Sequence, residues 1–148
     1  MPRASFADFP GDPASVARFA QSLRELAGAL DVVAGEVTAA SGRVAQWGGL
    51  AGPAWRERAG RLVAVSRRSS VEFGAAAEMA QAYGVVLARS QEVGRWARAE
   101  FDVGAELARL LLVARMDPAP GLSRCARAEW TYLTAESSLR AARAPVLE

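Results

Sequence analysis

Histidine and lysine are absent from this chain, and a single cysteine stands at position 125. Each absence closes a class of function. Without histidine there is no ordinary general base near neutral pH, no Ser-His or Cys-His nucleophile and no usual zinc ligand. One thiol cannot close an internal disulfide. Every basic residue is an arginine, and arginine does not titrate in the ordinary range, so a high isoelectric point coexists with a formal net charge of only +2. A total so near balance gives no electrostatic case for nucleic acid. Aromatic residues make up 7% of the chain, and the β-branched and aromatic side chains that favour strands are sparse. The first ten residues have neither a basic n-region nor an apolar h-region, which excludes an ordinary signal peptide. The longest apolar cluster, Leu110 to Ala114, is far too short to span a bilayer, so no stable membrane insertion is expected.

What the chain has is alanine. Half of its residues are apolar (51%), most of that half is alanine, and alanine is the strongest helix former. The expected class is all-α, and many small side chains suit narrow helical packing. Residues 1–11 hold two prolines with Phe6 and Phe9 and show no helical period, so they are expected as a flexible arm. Asp12 then offers an N-cap oxygen, and Pro13 suits the first helical position.

From there Val16, Phe19, Leu23, Leu26, Leu30, Val33, Val37, Ala40, Val44 and Trp47 alternate at spacings of three and four without a miss. This is a heptad seam for helix–helix packing at a shallow left-handed angle. It predicts a helix over 12–46, about 50 Å long at 1.5 Å per residue. Gly48, Gly49, Gly52 and Pro53 break it, and so short a turn (47–53) demands an antiparallel neighbour.

The second helix is expected over 54–115, with a smaller, more polar seam of Trp55, Ala59, Leu62, Ser66, Ser69, Phe73, Ala76, Ala80, Tyr83, Leu87 and Ser90. It should outrun the first near Gly84. Met116 to Gly121 is a firm breaker. A third helix, about 123–143, should fold back on the far half of the second through Leu122, Ala126, Trp130, Leu133 and Ser137. Residues 144–148 read as an unstructured tail.

The stretch Trp47-Gly48-Gly49-Leu50-Ala51-Gly52-Pro53-Ala54-Trp55-Arg56 closes one helix and opens the next. It resembles the turn of the WXG-motif helical-hairpin proteins exported by bacterial type VII (ESX) secretion systems. The actinobacterial branch commonly reads W-x-G-x-A-x-x-A followed by an aromatic residue and arginine, and Gly11-Asp12-Pro13 before the first helix is similar to that branch's toxin N-terminal modules. The resemblance covers roughly residues 10–110. It implies an exported substrate, partner or secretion-targeting module that pairs with another helical-hairpin protein or with itself. It also implies recognition by the type VII machinery through Trp47, Gly48 and Gly49. The family's second export signal, Y-x-x-x-[D/E], is matched by Tyr132 and Glu136, which would share one face of the third helix. The implied localisation is secretion by this non-classical route after a cytoplasmic stage.

Other constellations are weaker. Arg56, Arg58, Arg61, Arg67 and Arg68 make a basic run, but Glu57 and Glu72 flank it, which is the pattern of a solvated helix face. Paired carboxylates such as Glu100 and Asp102, or Glu25, lack any sign of a shared pocket. No metal, cofactor or catalytic set is expected, and the chain does not read as an enzyme. Two alternatives remain: a cytoplasmic adaptor or chaperone for a secreted helical partner, and an arginine-patch nucleic-acid binder.

Overall fold

The computed structural model describes residues 6–146 apart from 45, 47 and 50. The expected class holds. Helix α1 spans Pro13–Val44, α2 spans Ala51–Val113 and α3 spans Ala119–Arg143, followed by a 3-10 turn at Ala144–Val146. There is no strand among the described residues. Helix α1 packs on α2, and α2 packs on α3. Asp12 caps α1 as its sequence suggests, its Oδ1 accepting from the Ala14 amide at 3.0 Å.

Both later helices begin earlier than the glycine and proline content implies. Helix α2 starts at Ala51, with Gly52 and Pro53 inside its first turn, and α3 starts at Ala119 with Pro120 inside its own. First-turn amides have no intrahelical acceptor, so a proline there forfeits nothing. The far end of α2 closes in a Schellman motif. Met116 donates to the Leu111 carbonyl at 2.8 Å and Arg115 to Leu112 at 3.0 Å. Arg115 takes the left-handed φ of 56° that glycine usually supplies.

The chain forms two compact units. One is Ser15–Gln81, the α1–α2 hairpin; the other joins Met1–Ala14 to Ala82–Glu148. Helix α2 contributes to both, and the division falls close to Gly84, where the second helix was expected to outrun the first.

Within the hairpin unit the packing register differs from the expected seam. The seven-residue series Val16, Leu23, Leu30, Val37 and Val44 faces inward as expected, each half-buried. Of the described alternate positions, Ala40 is half-buried and the other three are exposed. Ala20 and Ala34 are fully buried at 0% and 1% exposure, whereas Phe19, Leu26 and Val33 are 60%, 43% and 40% exposed. Helix α2 answers in kind. Gly52, Ala59, Ser66, Ser70, Ala77 and Ala80 are its buried residues here, so Ser70 and Ala77 replace the expected Ser69 and Ala76, while Leu62 and Trp55 stay exposed. Apolar period alone cannot choose between these stripes, because they share one heptad position and differ by a single residue at the other, where both alternatives are apolar, Phe19 or Ala20 and Val33 or Ala34. Small residues win because they let two backbones close on one another and gain many short-range contacts.

The α2–α3 pairing carries the same principle further. A Cβ on Gly121 would lie 2.5 Å from the Ala108 amide nitrogen and 2.6 Å from the Gly104 carbonyl oxygen, and one on Gly104 would meet Cys125 Sγ and the Gly121 carbonyl oxygen at 2.9 Å. The helices therefore touch main chain to main chain. The buried stripe of α3 is Gly121, Cys125, Ala128 and Ala135. The expected Leu122, Ala126, Trp130, Leu133 and Ser137 are all exposed, a correction with the same cause. Glu100 on α2 accepts two hydrogen bonds from the Arg124 guanidinium, at 2.6 and 3.1 Å, and Ser90 donates to the Ala135 carbonyl at 3.3 Å.

Two substitutions of like chemistry should act oppositely. Gly121→Ala forces a methyl into backbone and should cost about 2 kcal/mol or more in urea denaturation. Gly60→Ala meets nothing within 4 Å and should stabilise by about 0.5–1 kcal/mol through helix propensity.

Candidate functional site

Helical geometry turns the register of the hairpin into two unlike faces. In an antiparallel pair, the residues just before the Ala20-type positions of α1 and just before the matching positions of α2 lie on one side of the seam. That side carries Phe19, Leu26, Val33 and Ala40 from α1, with Trp55, Leu62, Ser69 and Ala76 from α2. None is charged. Trp55 and Leu62 are 43% and 48% exposed, and the next row of α2 alternates exposed apolar and charged residues, Arg58, Val65, Glu72 and Met79. The opposite side carries Ala17, Arg24, Asp31 and Thr38 with Gly60, Arg67, Gly74 and Gln81. There Arg24 donates to Gln81 Oε1 at 2.6 Å, a bond that fixes both the antiparallel register and the side. The expected seam is therefore half interface and half open surface.

At the turn, Gly49 has a φ of +75° with nothing near the site of a Cβ, so conformation, not crowding, requires glycine there. Gly48 has no such φ and is exposed. Trp47 lies outside the described residues.

The N-terminal segment read as a flexible arm is held from residue 6 onward. Phe9 is buried, its ring stacked on Tyr132 at 5.1 Å and 16°. Phe6 meets Tyr132 and Phe101 edge-on, each at 5.2 Å. The Tyr132 hydroxyl donates to the Ala7 carbonyl at 2.9 Å. Gln91 Nε2 donates to the Phe9 and Gly11 carbonyls at 3.0 and 2.8 Å. Arg98 donates to the Phe6 carbonyl and pairs with Asp8 at 2.9 Å. Gly94 forms the floor, since a Cβ there would lie 3.1 Å from the Phe9 ring. Gly11 itself adopts a φ of +126°, and a Cβ on it would meet Leu87 at 2.9 Å. Sequence reading missed this cluster. The traceable hints were two phenylalanines in an arm with no helical period and a glycine inside a long helix.

Tyr132 and Glu136 do share a face of α3, but their contacts diverge. Glu136 accepts from Arg140 at 2.9 Å, while Tyr132 serves the arm. Burial first, and then the Glu136 carboxylate, push the Tyr132 phenol above its ordinary value. Burial likewise raises the Cys125 thiol, with Glu129 adding to it, which makes the sulfur a poor nucleophile. Hydrogen bonding from Arg124 lowers Glu100.

The arginine run on α2 is partly neutralised: Arg61 pairs with Glu57 at 3.3 Å and Arg68 with Glu72 at 2.8 Å, all well exposed. Among the described residues no group of three or more Cys, Asp or Glu side chains is arranged to hold a metal ion, and no helix is long and apolar enough to cross a membrane. No family model, curated protein or solved structure matches the chain.

The raised Tyr132 value fixes the sign of an alkaline effect. Unfolded tyrosine ionises near pH 10, whereas the folded phenol holds its proton to higher pH. Its contribution is thus complete below about pH 10 and is lost as pH rises through the folded value. Urea midpoints measured from pH 8 to 11.5 should fall more for the native chain than for Tyr132→Phe.

Proposed function

We propose that the chain is a type VII secretion-associated, WXG-like protein, an exported substrate, partner or targeting module, that works by laying its hairpin against another helical hairpin. The observation that supports this most is the charge-free stripe along one side of the hairpin: Phe19, Leu26 and Val33 on α1 and, nearer the turn, Trp55 and Leu62 on α2, each at least 40% exposed. These residues are the unused half of a heptad seam, and an unused half-seam fits a second pair of helices.

Magnitudes set the size of the partner. Covering five such half-exposed side chains is worth on the order of 5 kcal/mol, since a full burial contributes roughly 1.5–3 kcal/mol each. Association itself costs about 4–15 kcal/mol. One face alone leaves binding marginal; a partner that contributes a matching apolar face brings it into the stable range. A second hairpin, identical or related, has the right shape and chemistry.

The export part of the reading rests on the turn motif, whose Gly49 conformation suits the reversal, and on the resemblance. Tyr132 and Glu136 serve as an export signal in this reading only when the arm is displaced, because the tyrosine ring is otherwise engaged by Phe6 and Phe9.

Two measurements test these parts separately. Leu26→Asp with Leu62→Asp alters only exposed side chains, so helical content and melting should hold while sedimentation shows at least a tenfold loss of association. Association that survives both charges removes the face from the mechanism. In a type VII-competent host, Trp47→Ala and Gly49→Ala should each cut export several-fold. Unchanged export of both, or retention of the native chain in the cytoplasm bound to an exported protein, replaces the substrate reading with that of an adaptor.

A further inference from the structure

The way the arm is held is unlike ordinary chain packing. The carbonyls of Phe6, Ala7, Phe9 and Gly11 are each taken by a side chain of α2 or α3, namely Arg98, Tyr132 and Gln91, the last serving two. Asp8 is taken by Arg98. The arm belongs to no helix or strand of its own. Side-chain donors that read successive main-chain carbonyls, with pockets for alternate rings, are how a receptor grips an extended peptide. The floor suits that use. Gly94 leaves room for one ring, Phe101 and Tyr132 wall the other, and a cation stands beside the position of the acid.

We propose that this slot on α2 and α3 is a peptide-binding site for an extended Phe-x-Asp-Phe segment, filled by the chain's own arm and exchangeable with the arm of a second copy. Phe6-Ala7-Asp8-Phe9 is the one place in the sequence where two phenylalanines stand three apart, so the segment seen in the slot is also the one the chain presents to other copies. The rings supply anchoring area, and the Arg98–Asp8 pair sets register along the peptide. A short tether gives the attached arm an effective concentration in the millimolar range. Exchange therefore needs crowded copies or a weakened arm. This site is separate from the hairpin face and stands whether or not that face pairs.

The test uses full-length chains and a dye-labelled peptide of residues 5–12 in fluorescence anisotropy. Phe6→Ala with Phe9→Ala frees the slot of its anchors, and that variant should bind the peptide saturably. Adding Gly94→Leu fills the floor and should abolish binding. The native chain should bind at least about tenfold more weakly, because its own arm competes. Circular dichroism establishes that each variant remains helical. No saturable binding to a helical Phe6→Ala/Phe9→Ala chain, or equal binding with Gly94→Leu, overturns the site. For the second copy, the slot-free variant is mixed with a Gly94→Leu chain whose arm is intact, both carrying Leu26→Asp to silence the hairpin face. A one-to-one complex in sedimentation is expected, and two persistent monomers overturn arm exchange.

Discussion

Close approach of helix backbones through small side chains is the constraint on which the rest of this molecule depends. In the hairpin unit it buries Ala20 and Ala34 against a stripe of alanine and serine on α2. In the α2–α3 unit it goes to main-chain contact at Gly104, Ala108 and Gly121. Such contacts exclude large side chains from the seam, so the bulky apolar residues are displaced to its edges. Nineteen large hydrophobic residues are exposed among those described, too many to be scattered accidents on a chain this short.

Those displaced residues occur in both units: Trp96, Leu122, Trp130 and Leu133 are open on α2 and α3, where the arm covers only the strip around Tyr132 and Gly94, Phe9 stacking on the tyrosine and Phe6 meeting it edge-on. On the hairpin nothing among the described residues covers Phe19, Leu26, Val33, Trp55 and Leu62. The opposite side of the hairpin seam is polar and tied by Arg24 and Gln81. Asymmetry of this kind favours association on one side and solvation on the other.

The elements were legible in the sequence because helices are specified locally. Alanine content, the Asp12-Pro13 start, the glycine turn and the Met116 to Gly121 breaker each act within a few residues. The starts of α2 and α3 moved earlier where proline sits harmlessly in a first turn, and α1 and α2 stop at Val44 and Val113, short of the expected 46 and 115. The face used was half legible: Val16, Leu23, Leu30, Val37 and Val44 were right, but their alternates were one residue off. Ranking by hydrophobic size selected Phe19 and Val33, where packing selected Ala20 and Ala34. The same preference misplaced the whole stripe of α3, taking Leu122 and Trp130 for core in place of Gly121 and Ala128. The arm was missed because nothing local orders it. Its partners lie more than 80 residues away.

By itself, then, the sequence determined that this chain is helical, where its helices lie to within a few residues, and that the first two run antiparallel, since propensity, capping and loop length are short-range terms. Tertiary structure alone decided which stripe of each helix is inside and which apolar residues remain open. It also set Tyr132, which the sequence offered only as the Y-x-x-x-[D/E] match with Glu136, against the arm. Those outcomes depend on how near two backbones can come, and that distance is set jointly by side chains far apart in the chain.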